Sequence, residues 1–222
     1  MLSKDKVRAD LHIHTKYSVC SSISIKSLIK ACKRRGIDYV AITDHNTISG
    51  AIEADKSASR TGIKVIIGEE IRTRGGEIIG LFLNEKIKPH FSPEETVDRI
   101  KEQGGIVYVP HLFDRLRRSR LKVNGDDNFW KKVDIIEVFN SRCLFSADNV
   151  AAKSFARKLE KIYGAGSDAH TELEIGNSFV LIDDFNSTRT FLRSLKKGRI
   201  VGTKSPLFVH AFTKILKILR NI

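Results

Sequence analysis

"DLHIH", residues 10 to 14, ends an apolar run with His12 and His14 two positions apart, and "GSDAH", residues 166 to 170, repeats that spacing with Asp168 and His170. Side chains two apart on an extended strand leave the same face, so each pair can address one ion. Other apolar runs end similarly. Asp44 and His45 follow "YVAIT", Glu69 follows "KVIIG", His111 follows "IVYVP", and Glu137 to Asn140 close "DIIEVFN". Imidazole and carboxylate together suit divalent transition metals, and a set this large exceeds the four ligands of one tetrahedral zinc. Two or three divalent ions are expected. Glu69 is read as the carboxylate whose two oxygens bridge neighbouring cations, which sit roughly 3.5 to 4 Å apart in two-metal hydrolases.

Residues so far apart in sequence converge only if their strands run parallel, because all carboxyl ends then lie on one face. The pattern supplies such strands. "VRADLHI", "DYVAIT", "KVIIG", "EIIGLFL", "GIVYVPH", "DIIEVFN", "IYGAGSDAH" and "SFVLID" read as strands, separated by helical segments. Ser24 opens a helix that places Ile25, Leu28, Ile29 and Cys32 on one side before Gly36 stops it. A helix is expected from about Ile48 to Arg60, others over residues 146–161 and 187–198, and a last one after Pro206. "SPEETVDRIKEQGG" carries Ser92 as N-cap, Pro93 at the first helical position and Glu95 completing a capping box. Alternating strands and helices imply βαβ units and a largely parallel sheet, open or closed into a barrel.

The chain of 222 residues has the length of one sizeable domain, spanning residues 1–222, with 41% hydrophobic and 29% charged residues. Residues 205–222 read as an amphipathic helix, with Phe208, Phe212, Ile215, Leu216 and Leu219 packing on the barrel and Lys214, Lys217 and Arg220 opposite. No apolar stretch of roughly 18 residues occurs, and Cys20, Cys32 and Cys143 form no CxxC pair, so a cytoplasmic protein without a membrane partner is expected. The net charge of +13 favours phosphorylated or polyanionic partners. "DRLRRSRLK", residues 114 to 122, follows His111 directly, which puts Arg115, Arg117, Arg118 and Arg120 in a loop on the active face. Arg72 and Arg142 also sit near strand ends. Arg72, Arg115, Arg117 and Arg142 are taken as the phosphate-binding set.

"DLHIHTKYS", "RGIDYVAITDHN", "GEE", "VPH", "IEVFN" and "GSDAH", in that order, resemble the polymerase and histidinol phosphatase (PHP) family of metal-dependent phosphoesterases. The resemblance implies a distorted (β/α)7 barrel with a di- or trinuclear centre at the carboxyl-end face. Carried over by position, His12, His14, Glu69 and Asp168 would hold one metal, Glu69 and His111 a second, and His45 with His170 a third. Where the family supplies a further Asp or His after the first motif, this chain has "VCSS", which makes Cys20 the nearest ligand; a thiolate there would favour zinc or iron over manganese. Asp10 and Asp44 are expected to orient histidines or manage protons. The implied reaction is hydrolysis of a phosphate ester of a nucleotide or other phosphorylated metabolite by metal-bound hydroxide, with His170 or Asp44 as leaving-group acid. A nuclease acting on nucleic acid is the alternative reading, and a non-catalytic nucleic-acid-binding module is a third.

Overall fold

The computed structural model describes residues 6–122 and 127–220. Among these residues nine strands form one sheet in the order β7-β6-β5-β4-β3-β2-β1-β8-β9. In chain order the elements are β1 (Lys6–Ile13), α1 (Ile25–Arg35), β2 (Tyr39–Ile42), α2 (Ser49–Ala58), β3 (Lys64–Thr73), β4 (Gly76–Leu81), α3 (Pro93–Glu102), β5 (Ile106–Val109), α4 (Asp127–Lys132) and β6 (Ile135–Asn140). They continue with α5 (Ser146–Lys158), β7 (Ile162–Gly166), β8 (Ser178–Asp183), α6 (Thr188–Lys196), β9 (Arg199–Gly202) and α7 (Leu207–Arg220). A bridge from Ile13 to Ala169, with the Asp168 N–H donating to the His12 carbonyl at 2.8 Å, brings β1 back beside the end of β7. The sheet thereby curls into a nearly closed barrel of β1 to β7, with β8 and β9 continuing it beyond β1.

The pairings β1–β2, β2–β3, β5–β6 and β6–β7 are parallel. β4 is not. It pairs antiparallel with both β3 and β5, so the strand–helix alternation expected of a regular barrel breaks at the β3–β4 hairpin. The barrel interior is one apolar cluster to which every strand from β1 to β7 contributes, with Leu11, Ala41, Ile66, Ile79, Tyr108, Ile135 and Ala165 among its members and Phe191 of α6 joining it. Two further clusters lie between the sheet and the helices: one under α1 and α2, the other under α3, α4 and α5. Strands buried on both faces explain the unbroken apolar runs of the sequence.

Helix ends follow their side chains. Ser24 Oγ accepts the Ser27 N–H, and Gly36 ends α1 with φ of 65°, a conformation that suits glycine. Ser92 Oγ accepts the Glu95 N–H at 3.1 Å, whereas the Glu95 carboxylate turns toward Arg99 instead of closing the expected box. The short α4 and the edge strand β9 carry no periodic signal long enough to be read from sequence. Among the described residues, no helix is long and apolar enough to cross a membrane.

The last helix departs from expectation. Among the described side chains of α7 only Val209 is deeply buried, while Phe208 is 61% and Leu219 66% exposed, and Phe212 and Ile215 also face solvent. The barrel and its helices already close the core, so α7 is held across the mouth by polar contacts. Arg142 donates to Thr213 Oγ1 at 3.1 Å, and Arg220 donates to the Ser21 carbonyl at 2.6 Å. The Lys217 side chain and residues 221–222, counted in the expected helix, lie outside the described residues.

A Cβ on Gly166 would sit 2.3 Å from His12 Cβ and 2.8 Å from the His12 nitrogen, at the seam where the barrel closes. Gly166→Ala is expected to cost about 1–3 kcal/mol of stability, the usual penalty of overpacking, which a urea melt reads directly. Burial pushes the Cys32 thiol up to about 12 from its ordinary 9.0. The folded state thus binds that proton more tightly than the unfolded chain, so the contribution is complete below about pH 9 and is lost as pH climbs toward 12. Thermal melts of wild type and Cys32→Ala across that range should show the variant losing less stability with rising pH.

Candidate metal centre

The strand ends deliver their side chains to one point. His12 and His14 of β1 and the residue after it bring their Nε2 atoms to 3.1 Å, beside a register shift between Asp10 and Ile13 that bends the strand. Glu70 stands between them and the remaining histidines. Its Oε1 is 2.9 Å from His111 Nε2, and its Oε2 is 3.0 Å from His45 Nδ1 and 3.4 Å from His14 Nε2. Asp168 Oδ1 lies 3.5 Å from His12 Nε2 and 3.4 Å from His14 Nε2. His14, His45 and His170 form a three-imidazole group on one side, and His12, His111 and Asp168 a group on the other. Glu70 joins His12 with His14 in one further group and His45 with Glu77 in another.

These groups fit divalent cations. Glu70 Oε2, Glu77 Oε2 and Asp168 Oδ1 are buried and accept no well-aligned hydrogen bond, although imidazole nitrogens lie 3.0 Å from Glu70 Oε2 and 3.4 Å from Asp168 Oδ1. A buried carboxylate oxygen left without a donor is costly unless a cation meets it. The hydrogen bonds that do form fix the imidazoles from behind. His170 Nδ1 donates to the Asp168 carbonyl at 2.7 Å, and His12 Nδ1 lies 3.0 Å from Glu137 Oε1, which leaves the Nε2 atoms to face the centre. His111 and Asp168 hold φ of 31° and 53°, left-handed backbone that non-glycine residues adopt at a cost of about 1–3 kcal/mol. The strain sits on two of the residues that aim into the centre.

Charge divides across the site. Burial alone would depress the His12 imidazole, but Asp168, Glu137 and Glu70 outweigh it and hold it well above its ordinary value. His170 goes the other way, held well below by burial, by the Arg142 guanidinium and by His14. Burial would raise the Asp168 carboxyl; the Arg117 guanidinium, 2.5 Å from Oδ2, and His12 overcome it and keep the group ionised.

Several expected residues land elsewhere. Glu69 is the main correction. Successive side chains of β3 alternate between faces, and Ile66 belongs to the barrel interior while Ile71 packs under the helices. Glu70 therefore faces in and Glu69 faces out, where its Oε2 accepts the Ile87 N–H at 2.8 Å and burial lifts its carboxyl to about 7. The carboxylate that lies among the histidines is that of Glu70, within 2.9 Å of His111 and 3.0 Å of His45. Arg115 is also diverted: its guanidinium pairs with Asp148 of α5 at 2.7 Å and lies over Phe145, away from the histidines. Arg117 turns into the centre. Arg142 is buried against Glu174, and with Arg72 and Arg117 it lines a cavity of about 360 Å³ over the histidines.

Asp44 accepts hydrogen bonds from the Thr15 N–H, Thr15 Oγ1 and Ser18 Oγ, and Ser18 Oγ in turn lies 3.3 Å from His14 Nδ1. It orients His14 through that serine. Asp10 binds the backbone N–H groups of Ser167 and Gly176 at 2.9 and 3.1 Å, so it ties the β7 loop to β1 instead of touching an imidazole. Cys20 is buried, lines the same cavity and meets the His45 side chain, outside the three-ligand groups. Besides Glu70, two further residues fall outside the expected set. Glu77, the partner of Arg72 across the hairpin, brings its carboxylate to 3.8 Å from His111 and 4.0 Å from His45. Glu174 accepts the His170 and Thr171 N–H groups and holds Arg142 in place.

Comparison with known proteins agrees with the fold. The family model described as "PHP domain" matches residues 10–109, and one described as "PHP-associated" matches residues 147–200. The uncharacterized protein MJ1587 of Methanocaldococcus jannaschii is 46% identical over 145 residues, 61% of this chain and 82% of that protein. The uncharacterized protein MJ0417 of the same organism is 37% identical over 200 residues, 86% of this chain and 79% of that one. Among solved structures, a two-domain protein from Bacteroides vulgatus containing a predicted PHP-like metal-dependent phosphoesterase superposes with a TM-score of 0.70 at 16% identity, covering 89% of this chain and 65% of that chain. At that identity the likeness is one of fold.

The two neighbouring glutamates separate by substitution. Glu70→Gln should weaken binding of manganese or zinc by at least about 100-fold, since changes one layer further out already cost 10- to 100-fold, while Glu69→Gln should bind like wild type. Metal content after equilibrium dialysis reads both, and the reverse result would restore Glu69 as the ligand.

Proposed function

This chain belongs to the PHP domain family, and we propose that it hydrolyses phosphate esters of nucleotides or other phosphorylated metabolites at the centre built around Glu70. The observation that carries the proposal is the set of buried carboxylate oxygens without donors, on Glu70, Glu77 and Asp168, amid His12, His14, His45, His111 and His170. Two or three divalent cations held there supply Lewis acidity toward phosphoryl oxygens and toward a water. The chain supplies the rest. Arg72, Arg117 and Arg142 border the cavity with cationic groups that meet a phosphate entering it. Asp168 is kept ionised by Arg117 and His12, so it stays an acceptor.

His170 is kept neutral, and its Nδ1 proton is committed to the Asp168 carbonyl. That leaves a lone pair on Nε2, which suits a ligand better than a leaving-group acid. Asp44 takes donors on both oxygens and acts by placing Thr15 and Ser18. Neither residue presents a proton to the cavity. A nuclease is the second reading, favoured by the cationic groove that opens from the cavity beside Arg72. The large donor set argues against a non-catalytic module, which would retain little metal after gentle purification.

Manganese-loaded protein is mixed with a 5′-phosphorylated oligoribonucleotide and, separately, with a bisphosphorylated mononucleotide, and the products are separated by chromatography. Phosphate release from the small substrate supports the monoesterase, and mononucleotides from the oligomer support the nuclease. Asp168→Asn should lose at least about 100-fold in rate with either substrate while keeping its fold, judged against the loss from metal-site perturbation in general. Full activity in that variant would sink the assignment of the centre.

A further inference from the structure

A second charged feature lies outside the histidine cluster. The β3–β4 hairpin and the arginine loop after His111 run side by side, joined by backbone hydrogen bonds. The Glu77 N–H donates to the Ser119 carbonyl at 2.8 Å, and the Lys122 N–H donates to the Gly75 carbonyl at 2.7 Å. Gly76 permits this contact, since a Cβ there would stand 2.4 Å from Leu121 Cα and 2.6 Å from the Arg120 carbonyl. The seam between the two segments is a groove of about 280 Å³ whose cations are Arg72, Arg74, Arg118, Arg120 and Lys122.

Three properties of the groove limit its ligand. First, among the described residues no carboxylate pairs with the side chains of Arg72, Arg74, Arg118 or Lys122, and the Arg120 guanidinium donates to the Asp114 carbonyl rather than to an acid. Second, it is continuous with the metal cavity, because Arg72 and Ser119 line both. Third, no aromatic side chain among the described residues lines it; Thr73, Ser119 and the two glycines make up the remainder of that lining. Such a surface holds phosphates and offers no ring on which a base could stack. Cations carried on a hydrogen-bonded hairpin are also placed in advance, unlike lysines spread over a surface.

We propose that this groove binds the phosphodiester backbone of a single-stranded nucleic acid, without reading its bases, and leads the strand to the metal centre. The inference rests on the nuclease form of the phosphoesterase reading, in which the ester cleaved belongs to a polynucleotide. A mononucleotide fills the cavity alone, whereas a strand with one phosphate at the centre carries its next phosphates along Arg72 toward Arg74, Arg118 and Lys122.

The test is fluorescence anisotropy with a 3′-labelled 12-nucleotide oligo-deoxythymidylate and full-length protein in EDTA, across a salt series. Arg74→Gln/Arg118→Gln/Lys122→Gln is compared with wild type, and circular dichroism checks that the variant is folded. Removal of three cations should weaken binding on the order of 30-fold at low salt and lower the slope of log K against log salt by about 2, at roughly 0.7 per phosphate contact for single strands. Replacing thymines with a mixed sequence should leave the wild-type affinity within about twofold, as expected where the backbone is held and the bases are not. Unchanged affinity and slope in the variant would overturn the groove's role. Displacement of the oligonucleotide by polyglutamate at equal charge would also overturn it, by showing a general polyanion or acidic-protein surface. Hydrolysis of p-nitrophenyl phosphate, a monoester, or of bis(p-nitrophenyl) phosphate, a diester, by manganese-loaded wild type is read separately. Its absence would refute the phosphoesterase reading and leave the metal-free binding result standing on its own.

Discussion

Burying several carboxylates around one point is the constraint on which this structure turns. Glu70, Glu77, Glu137 and Asp168 are all nearly inaccessible and lie near the same histidines. In a medium that screens poorly, such groups coexist only if each faces a cation or a donor. Glu137 is satisfied within the protein by Tyr108, Asn140, the His111 N–H and His12. Glu70 and Asp168 are satisfied only on one oxygen, and the other is turned to the shared space. Among the carboxylates on the inner face, the fully bonded one holds its neighbours in place and the half-bonded ones turn a free oxygen to the shared space; Glu69, whose Oε1 also lacks a donor, lies on the other face of β3. Strand direction, the left-handed backbone at His111 and Asp168, and the close approach at Gly166 all serve to bring those half-bonded oxygens together.

The reversal of β4 shapes the wall around that point. Its amino end, not its carboxyl end, lies at the mouth, so Glu77 joins the centre from the start of a strand. The same reversal makes the β3–β4 connection a tight hairpin where a regular barrel would place a helix. Its Thr73–Gly76 turn then serves as a shelf for the arginine loop, and that loop distributes its charges in different directions. Arg117 goes to Asp168, Arg115 to Asp148, and Arg118 with Arg120 to the groove.

Much of this was legible in the sequence, for physical reasons. Histidines and acids at the ends of apolar runs mark the carboxyl face of parallel strands, so His12, His14, His45, His111, Asp168 and His170 were found without a structure. The confusion of Glu69 with Glu70 has an equally physical origin. "KVIIG" is apolar at consecutive positions because both faces of the strand are buried, and without alternation the parity of the two glutamates is undetermined. Glu77 escaped because a search at strand ends overlooks a strand that runs backward. Adjacent arginines in a loop have no period to say which turns inward. An amphipathic pattern likewise states that a helix has an apolar face and not what that face meets, which is why α7 could be found and its orientation could not.

The seam at Ile13 and Ala169 bears on how the chain reaches this state. Pairings such as β3 with β4 join neighbours and can form early, whereas this bridge joins two of the most distant parts of the barrel. Contacts of such long sequence separation are entropically slow to form. His12 and Asp168 flank that bridge, so the centre takes shape only when the barrel closes. Any ligand that needs both His12 and Asp168 is therefore coupled to closure of the barrel, so its binding reads out tertiary structure rather than the presence of the individual strands.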